Sequence, residues 1–406
     1  MRTYALALIA LVASLVVALP AAAASREVRI PLRDGRFRVA DLVAALPDGF
    51  PMAARIRSFA AGEINVAGIG GSLAVRAFNA AMGDGCRLSA TADAVVLTFE
   101  VASLPSPKAA VRTFVAQLNP QAGEQQRQRL YGLKLPDKLD DRKPLLVLVH
   151  GLYTWNAVWG SFATVAEKDG QQVALYGYPS GQAIDKNATD FGAALEALRR
   201  DHPTLRVHLV THSLGGLVAR AYIESDAYKP GLIDRLIMIA PPNQGSPWAK
   251  FSTVIALRQQ YYLRKYCPDW DWSWAVAETL TDSSAQIEPG SPFLRALNAR
   301  PRRDGVRYTI IAGTKNEIAE MAGGTLSGVA GKLGRFGAKY LQDKIAAAET
   351  SLEAGATDGV VSLDSTRLAG VPDYVPLPAG HNALVMRWNG ADPAAWPTIK
   401  DRLDKQ

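Results

Sequence analysis

Residues 205–223 read LRVHLVTHSLGGLVARAYI, and this stretch carries two secondary-structure signals around one serine. The apolar, β-branched residues from Val207 to Val210 are typical of a short buried strand. Two glycines follow Ser213, and the run 217–223 then has the composition of a helix. The stretch therefore predicts a strand, a tight turn with Ser213 at its apex, and a helix directly after the turn.

A strand, turn and helix in this order are the setting that a nucleophilic serine requires. The sharp turn projects the hydroxyl of Ser213 out of the backbone, and Gly215 and Gly216 let the strand and the helix approach closely. The amino terminus of the helix carries partial positive charge, which stabilises a developing oxyanion. We therefore interpret Ser213 as a candidate nucleophile rather than as part of an ordinary turn.

A second predicted turn supplies matching hydrogen-bond donors. The apolar run Leu145 to Val149 predicts a strand that ends in His150 and Gly151. Gly151 permits unusual backbone angles, so the amide that follows it can point into a site. Acyl transfer needs two amide donors aimed at the oxyanion, and the amides of Leu152 and Leu214 are the natural pair.

A serine nucleophile needs a general base, and the chain has five histidines. His150 belongs to the proposed oxyanion turn, His202 precedes a proline at a helix end, and His208 lies inside a strand. His212 adjoins the serine, and the direction of the backbone predicts that its side chain points away from the hydroxyl. Only His381 lies downstream of the nucleophile, in a loop after the last predicted strand, and it is the candidate base.

A third residue is expected to orient His381 and to stabilise its charged form. We assign this role to Asp358, which lies in the segment TDGVVS. An Asp-Gly pair is often only a turn, so two alternatives stay open. Glu317 follows the strand predicted at Tyr308 to Ala312, and Asp364 is the second alternative.

Short apolar runs alternate with helical patterns from residue 144 onward. Phe191, Leu195 and Leu198, for example, share one face of a predicted helix. The alternation predicts an α/β fold with a mainly parallel sheet and helices on both faces, and it places the site beyond the carboxyl ends of the strands. The predicted strands are 145–149, 173–176, 207–210, 236–239, 308–312 and 374–377.

The rest of the chain divides into segments of different composition. A positive residue, an apolar core and small residues before Ser25 are typical of an export signal, so the protein is expected to be periplasmic or extracellular. Strand-like runs at 28–32 and 95–101 around a helix-like run at 39–46 predict a small α+β module. The expected boundaries are 1–24 for the signal, 25–118 for the small module, 119–143 for a polar linker and 144–406 for the main domain.

The composition argues against several functions. The 406-residue chain is 48% hydrophobic and has a net charge of +7, which fits a solvated basic surface. It contains no zinc-type spacing of cysteine and histidine, no phosphate-binding Gly-Lys motif and no basic repeat with aromatic residues, so we expect no nucleic-acid partner. Whether Cys86 and Cys267 form a disulfide stays open.

Residues 143–390 resemble the α/β-hydrolase superfamily and, within it, the lipase and esterase branch. The matching pieces follow the family's order of oxyanion loop, serine, acid and histidine. Thr211 stands where the family usually has glycine. The pieces are VHGL at 149–152, THSLGG at 211–216, APPNQGS at 240–246, DGVV at 358–361 and Gly380 with His381.

The resemblance implies a catalytic triad of Ser213, Asp358 and His381 that cleaves carboxylic esters, with lipids as the expected substrates. Such chemistry needs no cofactor. An ester or lipid is the expected partner, and a membrane or lipid surface stays open as a further one. Acyl transfer to an alcohol or amine is an alternative use of the same site, and a non-catalytic binding protein with this fold is a second alternative.

Two segments are interpreted as insertions that cap the site. Residues 247–300 contain several tryptophans and tyrosines, and residues 317–356 are rich in glycine. An apolar pocket needs cover in water, and glycine lowers the cost of rearranging that cover. These segments predict a preference for medium or long acyl chains over acetate.

Overall fold

A computed structural model of the chain describes two units, each with a sheet of its own. The smaller unit contains the described residues up to 99, and the larger unit contains those from 128 onward. The described residues are 26–38, 40–41, 63–67, 83–99, 128–152, 154–247, 283–316 and 356–405, with single positions between 72 and 80.

The smaller unit contains a three-stranded antiparallel sheet in the order β1-β5-β4. Alternate residues of β1, Val28 and Ile30, are buried, as expected for a strand with one face on a core. The strands predicted at 28–32 and 95–101 are confirmed as β1 and β5. The strands of this unit are β1 (Arg26–Pro31), β2 (Arg36–Arg38), β3 (Glu63–Asn65), β4 (Cys86–Ala90) and β5 (Ala94–Phe99), with β2 and β3 forming a separate pair.

The larger unit is built on a seven-stranded sheet in the order β12-β11-β10-β9-β7-β8-β6. The five pairs from β12 to β8 are parallel, which confirms the mainly parallel sheet and all six strands predicted for this region. The strands are β6 (Gly132–Lys134), β7 (Leu145–Val149), β8 (Gln172–Gly177), β9 (Val207–His212), β10 (Ile233–Ile239), β11 (Arg307–Gly313) and β12 (Tyr374–Leu377).

The first strand of this sheet lies in the segment interpreted as a linker. Strand β6 pairs antiparallel with β8, and the neighbouring Leu130 is buried. The larger unit therefore begins before residue 144. A strand of three residues that starts with glycine is too short to show a hydrophobic period, and for this reason its sequence resembles a loop.

Helices cover both faces of the large sheet, as a parallel sheet requires. On one face, α2 and α3 pack over residues such as Val147 and Leu209, and on the other face Phe162 of α1 and Ile399 of α7 pack over Leu148. The helices are α1 (Gly160–Lys168), α2 (Ile184–Asp201), α3 (Leu214–Ile223), α4 (Ser283–Gln286), α5 (Pro292–Asn298), α6 (Leu363–Thr366) and α7 (Trp396–Asp404).

Several predictions fall outside the described residues. These are the export signal at 1–24, nearly all of the helix at 39–46, most of the capping insertions 247–300 and 317–356, and the alternative acid Glu317. The possible disulfide falls there as well, because neither the Cys86 side chain nor Cys267 is described. Within the described ranges, the structure has no helix of the length and apolar character needed to cross a bilayer.

Candidate active site

Ser213 occupies a strained turn between β9 and α3, as the sequence predicts. Its φ is +52° and its ψ is −123°, a combination that a residue with a side chain rarely adopts. The Ser213 amide donates to the carbonyl of Ile239 at 2.8 Å, so the neighbouring strand β10 holds the turn in place. The strained turn places the serine at the carboxyl end of β9, which is where functional groups of parallel sheets collect.

Two glycines make room for this turn. A Cβ atom at Gly215 would lie 2.5 Å from the carbonyl oxygen of His150, so only glycine lets α3 approach the end of β7. A Cβ atom at Gly151 would lie 2.9 Å from the Cβ of Ser213, so the predicted oxyanion loop passes directly beside the serine. Thr211 is fully buried in β9.

His381 and Asp358 are hydrogen bonded to each other, although 23 residues separate them. The Nδ1 of His381 lies 2.7 Å from Oδ2 of Asp358, and the amide of His381 also donates to the carbonyl of Asp358 at 3.0 Å. A carboxylate only accepts, so the Nδ1 atom carries the proton and Nε2 keeps its lone pair. This is the tautomer that a general base requires.

Backbone amides fix the carboxylate of Asp358 in turn. Its Oδ1 accepts from the amides of Val360 and Val361 at 2.9 and 2.7 Å, and the side chain is fully buried. The alternative acid Asp364 lies on α6 with its side chain fully exposed, and it faces Arg367 at 3.9 Å. Of these two carboxylates, Asp358 is the one that contacts His381.

Hydrogen bonds hold the peptide between Gly151 and Leu152 in one orientation. The Nε2 of His150 accepts from the amide of Tyr178 at 3.1 Å, so its Nδ1 carries the proton and donates to the carbonyl of Gly151 at 2.9 Å. The hydroxyl of Thr154 donates to the same carbonyl at 2.9 Å. In a trans peptide the N–H points opposite to the carbonyl, so the Leu152 amide faces away from these two side chains.

The second predicted donor lies at the beginning of α3. Leu214 is the first residue of that helix, so its amide has no partner within the helix. Among the described residues, the structure records no hydrogen bond from the hydroxyl of Ser213. In unliganded hydrolases the bond between nucleophile and base is often long or poorly aligned and tightens with substrate.

The contact that His212 makes could not be predicted from the sequence. Its side chain does not face solvent but packs on His381, with ring centroids 4.5 Å apart, and its Nε2 lies 3.1 Å from the carbonyl oxygen of His381. The contact spans 169 residues, so no local pattern could reveal it. The only signal in the sequence is the position of a histidine directly before the candidate nucleophile.

The other three histidines, His150, His202 and His208, contact groups that lie outside the pair formed by His381 and Asp358. Burial lowers the pKa of His150 to about 4, and its ring stacks on Tyr178 at 4.3 Å. Burial, aided by nearby arginines, lowers the pKa of His208 to about 4. His202 lies at the end of α2, 2.8 Å from Asp141. Within the described part of the chain, no group of three or more histidine, cysteine or acidic residues is arranged to hold a metal ion.

A family model described as a domain of unknown function (DUF7379) matches residues 113–263. This range includes β6 to β10 and the turn at Ser213. No curated protein matches the chain.

Several solved structures are similar to this chain. The lipase BlEst2 of Bacillus licheniformis in its mature form has a TM-score of 0.45 and 22% identity, over 67% of this chain and 96% of the lipase. The phospholipase PlaB of Legionella pneumophila has a TM-score of 0.38 and 18% identity, over 55% of this chain and 45% of the phospholipase. Carboxylesterase CesB of Bacillus subtilis has a TM-score of 0.37 and 14% identity, over 71% of this chain and 96% of the esterase.

The architecture itself defines the class of fold. The chain has a mainly parallel sheet whose first strand is antiparallel, helices on both faces, and a strained serine between a central strand and the following helix. An acid and a histidine follow the serine in the chain and meet beyond the carboxyl ends of later strands. This is the α/β-hydrolase fold that the sequence predicts.

Proposed function

We propose that this protein is a serine hydrolase that cleaves carboxylic esters, with Ser213 as nucleophile, His381 as general base and Asp358 as the acid that orients it. One observation carries the proposal. The 2.7 Å contact between His381 Nδ1 and Asp358 Oδ2 leaves the Nε2 lone pair of His381 free, at the same end of the sheet as Ser213. A histidine with this free lone pair can take the proton from a serine hydroxyl.

The reaction follows from the groups present. As the hydroxyl of Ser213 attacks the ester carbonyl, Nε2 of His381 takes its proton, and Asp358 stabilises the resulting imidazolium. His381 then gives the proton to the leaving alcohol, which departs and leaves an acyl group on the serine. Water then attacks this acyl group with the same help from His381. The carboxylic acid is released and the hydroxyl of Ser213 is regenerated.

The oxyanion of each tetrahedral intermediate needs two donors. The amide of Leu214 has no partner within its helix, and the bonds from His150 and Thr154 to the Gly151 carbonyl turn the Leu152 amide away from those side chains. These two amides are therefore the proposed oxyanion hole. The proposal requires both amides to face the oxyanion before substrate binds, so that little reorganisation is needed during the reaction.

The proposed substrates are esters of lipids with medium or long acyl chains. This part of the proposal rests on the aromatic and apolar composition of residues 247–300 and 317–356. A series of p-nitrophenyl esters of increasing acyl length tests it, and fastest turnover of the acetate would contradict it.

The decisive test replaces the nucleophile. Ser213→Ala should lower kcat for a p-nitrophenyl ester on the order of 10⁴-fold or more, because triad members act as one unit. A fluorophosphonate should label the wild-type chain once, at Ser213. The matched control is Ser225→Ala, at the far end of α3, where the hydroxyl donates to the carbonyl of Tyr222. It should keep both turnover and labelling.

Two results would overturn the proposal. One is full turnover by the Ser213→Ala protein. The other is a correctly folded wild-type protein that neither hydrolyses any ester of the series nor reacts with the fluorophosphonate, which would favour a non-catalytic binding role.

A further inference from the structure

His212 lies where the three parts of the proposed site meet. It directly precedes Ser213, and only 1% of its surface is exposed. The Nε2 atom of its ring contacts the carbonyl of His381. The Nδ1 atom lies close to Gly151, where an added Cβ atom would be 3.3 Å away from it. The edge of the fully buried Trp159 packs against the same ring, with centroids 6.4 Å apart. The ring therefore has little freedom to move.

The contacts define which nitrogen of His212 carries the proton. A carbonyl oxygen can only accept, so the 3.1 Å contact with His381 requires a proton on Nε2. The Nδ1 atom is buried and has no hydrogen-bond partner among the residues that the structure describes. A proton there would be a buried donor without an acceptor, which is costly. His212 is therefore neutral, with its proton on Nε2.

The neutral state suits the neighbouring chemistry. Burial holds the pKa of His212 well below its usual value, and the charge of the adjacent His381 lowers it further. His381 becomes an imidazolium during acyl transfer. A charged ring 4.5 Å away would oppose this step, whereas a neutral ring donates a hydrogen bond without adding charge.

We propose that His212 is a positioning residue that fixes the loop of the general base relative to the nucleophile through its Nε2–H bond to the carbonyl of His381. The proposal rests on the function proposed above. Because His212 and Ser213 are adjacent, one side-chain bond ties the residue before the nucleophile to the backbone of the base. The bonds to Asp358 orient the His381 ring and its amide, and the bond from His212 holds the carbonyl of the same residue.

Three substitutions of His212 separate positioning from packing. His212→Gln can place an N–H at about the reach of Nε2, His212→Asn keeps a polar side chain that is too short, and His212→Phe keeps the ring without a donor. We expect His212→Phe and His212→Asn to lower kcat by about 10- to 100-fold with little change in KM, since a displaced catalytic group loses about this much. His212→Gln should stay within about threefold of wild type.

The folded state of each variant is checked by circular dichroism and thermal unfolding before the kinetics are compared. If His212→Phe folds and keeps wild-type kcat, or if His212→Gln loses as much as His212→Phe, the positioning role is wrong. A rise in KM with unchanged kcat would also contradict it, because that pattern belongs to substrate binding.

A measurement on the wild-type protein does not depend on the variants folding or on ester turnover. In a nitrogen-15 spectrum of histidine-labelled protein, the His212 Nδ1 signal should be that of an unprotonated ring nitrogen from pH 6 to pH 8. A protonated Nδ1 would overturn the inference even in an active enzyme. Conversely, absence of ester turnover with the expected His212 spectrum would reject the proposed function and leave the ring's bond to the His381 carbonyl intact.

Discussion

Three histidines near Ser213, the proposed nucleophile, differ in which ring nitrogen holds the proton. Backbone groups decide this for His150 and His212, and the Asp358 carboxylate decides it for His381. His150 has its proton on Nδ1, because Nε2 accepts from the Tyr178 amide. His212 has its proton on Nε2, because that atom meets the His381 carbonyl. His381 has its proton on Nδ1, opposite Asp358. His212 also keeps an unprotonated nitrogen, but its Nδ1 atom is buried, so of these three rings that of His381 is the one proposed to serve as the base.

Single candidate residues could be chosen from the sequence where their order along the chain distinguishes them. The turn at Ser213 has a local signature, and His381 is the only histidine that follows it. The sequence favoured Asp358 but left Asp364 open as an alternative. The structure separates the two carboxylates, because the Asp358 side chain is fully buried against His381 and the Asp364 side chain is fully exposed on α6. The packing of His212 depends on a distant loop, so it has no local signature.

Substitution of the acid tests the arrangement at His381. In Asp358→Asn, Oδ1 can still accept from the two backbone amides, but an amide nitrogen would then face the Nδ1–H of His381. Two donors cannot bond, so the ring would favour the wrong tautomer. We expect kcat for ester hydrolysis to fall on the order of 10⁴-fold with the fold retained. The control Asp364→Asn, on an exposed side chain, should match wild type, and equal losses in both proteins would reject the assignment.

At the scale of elements, a buried polar network connects α3 to the loop after β10. Arg220 of α3 is fully buried and donates to Asn243 and Asn298, each at 2.9 Å, and to Glu224 at 3.0 Å. The same loop reaches the acid's segment, where the hydroxyl of Ser246 donates to the Val360 carbonyl at 2.7 Å. The helix that follows Ser213 and the turn that carries Asp358 are thus connected through one loop.

Removal of Arg220 should destabilise this network. Arg220→Met leaves the carboxylate of Glu224 buried, with Arg302 at 2.9 Å as its remaining ion-pair partner among the described residues. We expect a loss of about 3 kcal/mol in the free energy of unfolding, measured by urea titration, because breaking a buried ion pair is strongly destabilising. As a control, Arg199→Met breaks a partly exposed pair with Glu196 and should cost less than about 1 kcal/mol. Equal costs would mean that the network contributes no more than a surface pair.

At the scale of the whole molecule, the sequence predicted the large sheet well. Its central strands β7 and β9 are buried along their whole length. Strand β7 is a continuous apolar run, and the apolar residues of β9 stand out in the sequence despite its two histidines. Strand β6 was not predicted, because an edge strand of three residues is defined by its pairing with β8 rather than by its own composition. The network around Arg220 was also beyond reach, since a lone arginine in a helix normally indicates a solvated face.

The buried histidines predict how stability depends on pH. Burial lowers the pKa of His150 and of His208 to about 4, whereas an unfolded histidine titrates near 6.5. Between these values the unfolded state binds more protons, so the stability present above about pH 6.5 is lost as the pH falls toward 4.

His208→Gln isolates one of these contributions, at a site remote from Ser213. Between pH 7.5 and pH 5, the free energy of unfolding of wild type should fall by about 2 kcal/mol more than that of the variant, because the variant lacks one group that must remain neutral. Urea titrations at the two pH values measure the difference. Parallel pH dependence in the two proteins would mean that His208 can bind a proton in the folded state.

The strained backbone at Ser213 has a consequence for attempts to raise the thermal stability of this protein. Its φ of +52° and ψ of −123° suit glycine, whereas a residue with a side chain is strained there by roughly 1–3 kcal/mol. At this position glycine would favour stability, whereas the proposed reaction needs the serine hydroxyl. If Ser213 is the nucleophile, as proposed, a screen that scores only survival of heating will enrich variants that have relaxed this turn and lost the hydroxyl. Ester turnover then has to be scored in every round as well.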